Sequence, residues 1–339
     1  MLRVGINGFG RIGRTILRAK LKYPEFKNFD IVAINDLSSP EMLAYLFKYD
    51  SVFGKLAYQI EVEKEYIKIG DKKIRIFQEP DPEKIPWDEE KIDYVIEATG
   101  RFTDGSLARK HLLRGVKRVI ITAPAINEDI TIIIGTNEEK YDPFKHYIIS
   151  TSSCISNAAT PVLNLLMKYY EIEKCYLSSI HAYTNTQRLL DMIHPKDFRR
   201  ARSAPLNMVP VNIDFETIVK VLPALRGKIE GICIRVPIPD VSLNDFVILI
   251  KGETTSAEIN KLFKENQNKY LGYTEEPVVS SDIIGEPYSA IIDGLNTKVI
   301  DKNLIKLLAW YDNEWGYSVR VLDLINYICL LYTSDAADE

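Results

Sequence analysis

The sequence predicts an α/β protein: a doubly wound parallel sheet, followed by an α+β unit whose sheet is mostly antiparallel. Three observations carry this. Through the first 150 residues, short β-branched runs alternate with polar segments of helical spacing. After Cys154 the alternation gives way to longer strand candidates set apart from their helices. Between the first strand and the first helix lies Gly8-x-Gly10-x-x-Gly13, the composition of a tight strand-to-helix turn.

Taken in order, "LRVGIN", "FDIVAIN", "IDYVIEAT", "VKRVIIT", "ITIIIGT" and "HYIIST" are all of strand length. Between them, "RIGRTILRAKLK" and "GSLARKHLLRG" have helical spacing. The insert "YQIEVEKEYIKIGDKKIRIFQE" reads instead as antiparallel strands turning at "GDKK". Beyond Cys154, "NAATPVLNLLMKYY" puts Leu163, Leu166, Met167 and Tyr170 on one helical face. The strand candidates "KCYLSSIHAYT", "KIEGICIRVPI" and "NDFVILIKGE" follow, with "SAEINKLFKENQNKY" as a helix. "GYSVRVLDLINYI" is an amphipathic helix. The expected division is 1–152, joined by helix 317–328, and 153–316. The last eleven residues, "CLLYTSDAADE" (329–339), resemble the translation of a transposase adapter used in sequencing libraries, so they are expected to be non-native.

The 339 residues are 46% hydrophobic, ample for a sizeable core, and carry a net charge of −4. An acidic balance argues against a nucleic-acid partner. No apolar run approaches the ~18 residues of a membrane span. "MLRVGINGFG" is already strand and turn, so no signal peptide is expected there. Four cysteines without a CxxC imply neither a disulfide framework nor a metal site. The expectation is a cytoplasmic, reduced protein.

Gly8, Gly10 and Gly13 permit a tight turn, a close backbone approach to a pyrophosphate, and close helix–strand packing. The helix N-terminus then turns free N–H groups toward phosphate. Alone this pattern is weak, since a plain glycine turn reads the same way. Here the second strand ends "VAIND", and Asp36 stands 23 residues after Gly13. An acidic residue there suits a ribose diol and repels a 2′-phosphate. The first unit therefore reads as a Rossmann domain for NAD rather than NADP.

Cys154 opens a helix, where the dipole and free N–H groups lower a thiol pKa. A lone cysteine is more often small apolar filler. Its neighbours Ser152, Ser153, Ser156 and Asn157 make a polar pocket, which suits filler poorly. Of four histidines, His111 and His146 lie in the nucleotide half and His194 precedes a proline in a charged loop. His181, ending the strand "YLSSI", is the best-placed base. A thiolate, a histidine and a nicotinamide support aldehyde oxidation through a thiohemiacetal and a thioester.

At these residues the chain resembles the glyceraldehyde-3-phosphate dehydrogenase family, with erythrose-4-phosphate dehydrogenase as a close relative. The motifs run nearly end to end: "INGFGRIGR", "VAINDL", "KYDSVFGK", "EATGRFT", "HAYTNTQ", "RRARSA", "IRVPIPDVS", "VVSSDIIGEPYS" and "WYDNEWGYS". The resemblance implies a homotetramer with a C-terminal helix packed on the nucleotide domain. It implies Cys154 as nucleophile and His181 as base. It implies Arg11, Ile12, Asp36, Thr99, Thr122 and Asn313 as NAD contacts. It also implies Thr184 and Arg235 on the phosphate of an aldehyde-phosphate substrate, and Ser153 and Arg202 on inorganic phosphate.

The departures cluster at one subsite. The family usually has threonine after the cysteine; this chain has Ile155. The family's Thr-Gly pair is replaced by Asn212, Ile213 and Asp214, in a segment one residue shorter. Asp214 reads either as a carboxylate repelling phosphate or as a cap on the next helix. Pro80 replaces a common cofactor-contacting arginine, and Phe53 a usual histidine. The leading expectation is phosphorylating oxidation of glyceraldehyde 3-phosphate. The alternative is an erythrose-4-phosphate or non-phosphorylating enzyme that releases the acid by hydrolysis.

Overall fold

The computed structural model describes residues 1–195 and 197–335. The chain divides into two compact units, Met1–Ser153 with the chain from Ser318 onward, and Cys154–Tyr317.

The first unit is built on nine strands: β1 (Leu2–Asn7), β2 (Phe29–Asn35), β3 (Ile60–Glu63), β4 (Tyr66–Ile69), β5 (Lys72–Phe77), β6 (Tyr94–Glu97), β7 (Arg118–Ile121), β8 (Ile130–Thr131) and β9 (Ile148–Ser150). Their order is β3-β4-β5-β2-β1-β6-β7-β9-β8. The pairs from β5 to β8 are parallel, and β3–β4 and β4–β5 are antiparallel, the insert turning at Gly70 as its sequence implies. Val4, Ile6, Val95, Ile96, Val119 and Ile120 are fully buried. Strands covered on both faces need such unbroken apolar runs, which is why these segments read clearly.

Helices α1 (Arg11–Lys22) and α2 (Pro40–Lys48) follow β1 and β2. Helix α2, which sequence spacing did not single out, is capped by Ser39 with Pro40 at its first turn. The segment "GSLARKHLLRG" forms only a short α3 (Gly105–Ala108), then a 3-10 turn through Arg114. "ITIIIGT" is strand for two residues only. Buried Asn137 accepts from Ile133 N at 2.9 Å and donates to Thr131 O at 2.9 Å, which curls the rest into a turn.

The second unit opens with α4 (Cys154–Met167) and carries β10 (Glu171–Ala182), β11 (Val209–Val211), β12 (Ile229–Val236), β13 (Ser242–Lys251), β14 (Leu271–Thr274), β15 (Ala290–Asp293), β16 (Lys298–Ile300) and β17 (Leu304–Tyr311). The sheet runs β11-β12-β10-β13-β17-β15-β14, with β16 on β17. It is antiparallel except for β10–β12 and β14–β15. Strand β17 alternates buried and half-buried residues along its whole length, a period-2 signal the sequence reading passed over. Helices α5 (Glu216–Val221) and α6 (Ser256–Glu265) complete the unit, the latter with a capping box from Thr255 and Glu258.

Helix α7 (Trp315–Asp335) starts in the second unit and continues in the first. There Asn326 Oδ1 accepts from Asn28 Nδ2 at 2.8 Å. The helix runs through part of the segment expected to be non-native, and the Cys329 side chain is buried. The rest of that segment, 336–339, lies outside the described residues. No helix among the described residues is long and apolar enough to cross a membrane.

Candidate active site

In the second unit, parallel register sets His181 of β10 opposite Arg235 of β12, so both side chains leave the same face of the sheet. Helix α4 begins at Cys154, and Cys154 Sγ stands 3.2 Å from His181 Nε2. The Tyr311 ring meets the imidazole edge-on at 6.0 Å, and its hydroxyl is paired with Ser179 Oγ at 2.9 Å. Ser242 Oγ accepts from Ala182 N at 3.2 Å and donates to Asn313 Oδ1 at 2.7 Å. Asn313 is thereby oriented, with its amide N–H donors left for a ligand.

His181 Nδ1 lies 2.6 Å from Arg235 Nη1 and 2.8 Å from Ala182 O. A guanidinium only donates and a carbonyl only accepts, so Nδ1 serves one of them at a time. With Arg235 as its donor, the ring proton sits on Nε2, facing the sulfur. With Ala182 O as its acceptor, Nε2 is bare and able to take the thiol proton. Burial and then the Arg235 charge hold His181 well below the usual imidazole range, so the ring is neutral near pH 7.

The thiol corrects a sequence expectation. Burial pushes Cys154 up to about 11, although Arg235 and the backbone amides of Ile155 and Cys154 pull it down. The helix start therefore acts in the expected direction but is outweighed. Because Cys154 keeps an opening to solvent, that dehydration is incomplete in the open site. A neutral thiol beside a neutral imidazole is a pair set for general-base attack.

The other expected phosphate contacts are engaged elsewhere. Thr184 Oγ1 pairs with Thr186 Oγ1 at 2.9 Å, and Arg202 Nε donates to Asp191 Oδ2 at 2.8 Å on an exposed loop. Ser153 directly precedes Cys154 in sequence. Ile155 is buried, and Ser156 Oγ pairs with Thr217 Oγ1 at 2.7 Å. Asp214 is exposed, and its Oδ1 accepts from Glu216 N at 3.0 Å in the turn that leads into α5, whose N-cap is Phe215. His194 and His146 each accept from a nearby backbone amide, those of Asp197 and Asp142.

In the first unit, Gly8 has φ +92°, and a Cβ there would sit 2.7 Å from Thr99 N. A Cβ on Gly13 would sit 2.2 Å from Gly8 O, whereas one on Gly10 would meet nothing within 4 Å. The first and third glycines are thus required by packing, and the second faces open space. No side chain caps α1, and no acidic residue lies in its first turn. Asp36 is half-buried at the end of β2, with Oδ2 accepting from Phe9 N at 2.8 Å and Oδ1 from Ser38 N at 3.0 Å. An uncapped helix start, an open glycine and an oriented carboxylate fit a dinucleotide.

Arg11 Nη1 pairs with Asp50 Oδ2 at 2.5 Å, with its guanidinium 5.6 Å from the centre of the Phe53 ring. Phe53, to which the sequence reading gave no chemistry, therefore supports Arg11 by cation–π contact. Burial raises the Asp50 carboxyl, but the amides of Phe53 and Val52 together with Arg11 bring it below its usual range. Ile12 follows in the first turn of α1. Thr99 Oγ1 donates to Glu97, and Thr122 Oγ1 donates to Glu97 O at 3.1 Å. Glu97, Asn7 and Asn35 are functional candidates that residue type alone does not single out. Their available signal was a polar residue closing each of the apolar runs "VGIN", "VAIN" and "YVIE".

Comparison with known proteins agrees with this geometry. Residues 2–105 match the profile of the glyceraldehyde 3-phosphate dehydrogenase NAD binding domain, and residues 153–313 match that of the C-terminal domain. The chain is 46% identical over 332 residues to glyceraldehyde-3-phosphate dehydrogenase 2 of Streptomyces avermitilis, covering 96% of this chain and 98% of the relative. The glyceraldehyde-3-phosphate dehydrogenase of Geobacillus stearothermophilus is 46% identical with the same coverage, 96% and 98%. Glyceraldehyde-3-phosphate dehydrogenase 1 of Bacillus subtilis is 45% identical, again over 96% and 98%.

Proposed function

The chain belongs to the glyceraldehyde-3-phosphate dehydrogenase family, and from that premise we propose that it oxidises glyceraldehyde 3-phosphate with NAD to the acyl phosphate 1,3-bisphosphoglycerate. The observation that carries the reading is Cys154 Sγ at 3.2 Å from His181 Nε2. His181 Nε2 takes the thiol proton as sulfur bonds to the aldehyde carbon, and returns it to the oxygen to give a thiohemiacetal. Bound NAD supplies the hydride acceptor. His181 removes the hydroxyl proton as the carbon is oxidised, leaving a thioester on Cys154. Inorganic phosphate attacks that carbon, and the thiolate leaves.

Arg235 and Thr184 hold the substrate's phosphate, and Ser153 and Arg202 the incoming one, since guanidinium forks and hydroxyls suit phosphate oxygens. Gly8, Gly10, Arg11, Ile12, Gly13, Asp36, Thr99 and Thr122 of the first unit hold NAD in this reading, and Asn313 of the second unit is one further contact that the family resemblance implies. The relatives' names give no support to the four-carbon substrate.

The proposal includes a homotetramer. Its support is a loop with Leu189, Leu190, Ile193, Phe198, Leu206 and Met208 exposed, Phe198 at 97%. Apolar surface on that scale needs a partner, and a second copy is the one the family implies. A cytoplasmic location is supported by Cys154, Cys175 and Cys233, all free thiols. The test is NADH formation from glyceraldehyde 3-phosphate with and without inorganic phosphate. Turnover that ignores phosphate would overturn the acyl-phosphate product, and turnover by Cys154→Ala would overturn the nucleophile.

A further inference from the structure

Five polar side chains cross the apolar interior of the first unit. Trp87 Nε1 donates to His111 Nδ1 at 3.0 Å, and His111 Nε2 lies 3.0 Å from Glu97 Oε2. Asn7 Nδ2 donates to the same oxygen at 2.6 Å. Asn35 Nδ2 donates to Asn7 Oδ1 at 2.8 Å and to Glu79 O at 2.9 Å, while Asn35 Oδ1 accepts from Glu79 N at 2.9 Å. The second Glu97 oxygen accepts from Thr99 N at 3.0 Å and from Thr99 Oγ1. Glu97 is 2% exposed and His111 0%.

The direction of the bonds from Trp87 through Asn35 is forced. An indole N–H only donates, so His111 Nδ1 accepts and the ring proton sits on Nε2, aimed at Glu97. Asn35 cannot turn over, because the backbone N–H and C=O of Glu79 hold its two ends. Asn7 must then accept from Asn35 and point its amide at Glu97. Thr99 Oγ1 accepts from Arg101 N at 3.0 Å, with its proton available to Glu97. Three fixed donors, His111 Nε2, Asn7 Nδ2 and Thr99 N, converge on one side chain, and Thr99 Oγ1 completes its shell.

A buried polar cluster is by itself only scaffolding. The places where this one ends point further. Asn7 precedes Gly8, and Asn35 precedes Asp36. Gly8 N donates to Asn35 O at 2.8 Å, and Thr122 N to Glu97 O at 3.0 Å. Thr99 is bonded directly. Three segments read as part of the NAD site, at Gly8, Asp36 and Thr99, therefore meet through the side chain of Glu97, and a fourth, at Thr122, meets its main chain.

We propose that Glu97 is a positioning residue for the dinucleotide, its side chain fixing Gly8, Asp36 and Thr99 in one arrangement through Asn7, Asn35 and Thr99. This rests on the NAD reading above. Glu97→Gln places an amide donor among donors and disturbs the whole chain of bonds. His111→Gln offers an oxygen to Trp87 and an NH2 to Glu97, so it preserves every direction. His111→Met keeps volume without a donor.

The experiment measures NAD dissociation by calorimetry on the whole protein, alongside steady-state kinetics. Glu97→Gln and His111→Met are expected to weaken NAD about 10- to 100-fold, with kcat at saturating NAD and Cys154 alkylation within about twofold of the parent. His111→Gln is expected to bind within about threefold. Undiminished binding by Glu97→Gln overturns the proposal, as does a fall in kcat with NAD affinity unchanged. So does equal weakening by His111→Gln and His111→Met, which would make volume the cause. Should Glu97→Gln not fold, the two histidine variants decide alone. A parent protein that does not bind NAD would instead overturn the nucleotide reading itself.

Discussion

Arg235 Nη1 and His181 Nδ1 stand 2.6 Å apart, so a permanent cation and the proposed base share one hydrogen bond. The same guanidinium lowers both partners of the reacting pair, the imidazole and the thiol. A change at Arg235 is therefore expected to act on the proposed phosphate contact and on proton transfer together.

Arg235→Leu is expected to lower kcat/KM for glyceraldehyde 3-phosphate about 10- to 150-fold, the worth of a charged hydrogen bond, and to cost unphosphorylated glyceraldehyde much less. The pH profile adds a second sign. The base works only when neutral, so the acid limb of kcat/KM follows the His181 pKa. That limb lies well below 6.5 in the parent and moves upward in Arg235→Leu, where a cation no longer opposes protonation. An unmoved acid limb would show that the charge is not felt at the ring.

Alkylation by iodoacetamide reads the thiols directly. Cys175 is buried and pushed up to about 12, and Cys233 is buried and raised. Cys154, half-exposed and raised to about 11, is expected to be labelled first, with a rate that climbs through the alkaline range toward that value. A labelling rate already flat at pH 7 would mean that the thiol is ionised there and that burial does not dominate.

Asp36 offers a test of cofactor choice. Asp36→Ala removes the carboxylate held by Phe9 N and Ser38 N. KM for NAD is expected to rise about tenfold, and the preference over NADP to fall by more, because the repulsion of a 2′-phosphate goes as well. Steady-state kinetics with both cofactors check this, and an unchanged ratio counts against the ribose contact.

The three glycines of the loop separate packing from binding. Gly13→Ala drives a methyl to 2.2 Å from Gly8 O and is expected to destabilise the protein by about 1–3 kcal/mol in a denaturant titration. Gly10→Ala meets nothing within 4 Å, so its melting temperature is expected to stay near the parent's while NAD binding weakens. Equal stability losses in the two variants would contradict that division.

What the sequence made legible was what is local or periodic. The parallel strands read clearly because burial on both faces leaves long apolar runs, and the glycine loop because its residues are contiguous. Cys154 and His181 were reachable by residue type, since only one histidine closed a strand of the second unit. The contact of Arg235 with His181 was not, because it depends on the parallel register of β10 with β12, 54 residues away. The thiol's upward shift was missed because burial is set by the whole unit, whereas the helix start that opposes it is visible in three residues. Glu97 reads in sequence only as the end of an apolar run; its meaning lies in its side-chain partners Asn7, Thr99 and His111.

Two residues before the nucleophile, buried Ser152 takes φ +60°, a left-handed conformation that turns the chain between β9 and α4. Few side chains accept that geometry without strain: glycine does so freely, and asparagine and aspartate at modest cost. For a lineage accumulating mutations, this position is a narrow gate. β-branched or bulky replacements would shift the start of α4, and with it Cys154, before altering any group that reacts. The site is thus shielded from drift by a residue that takes no part in its chemistry.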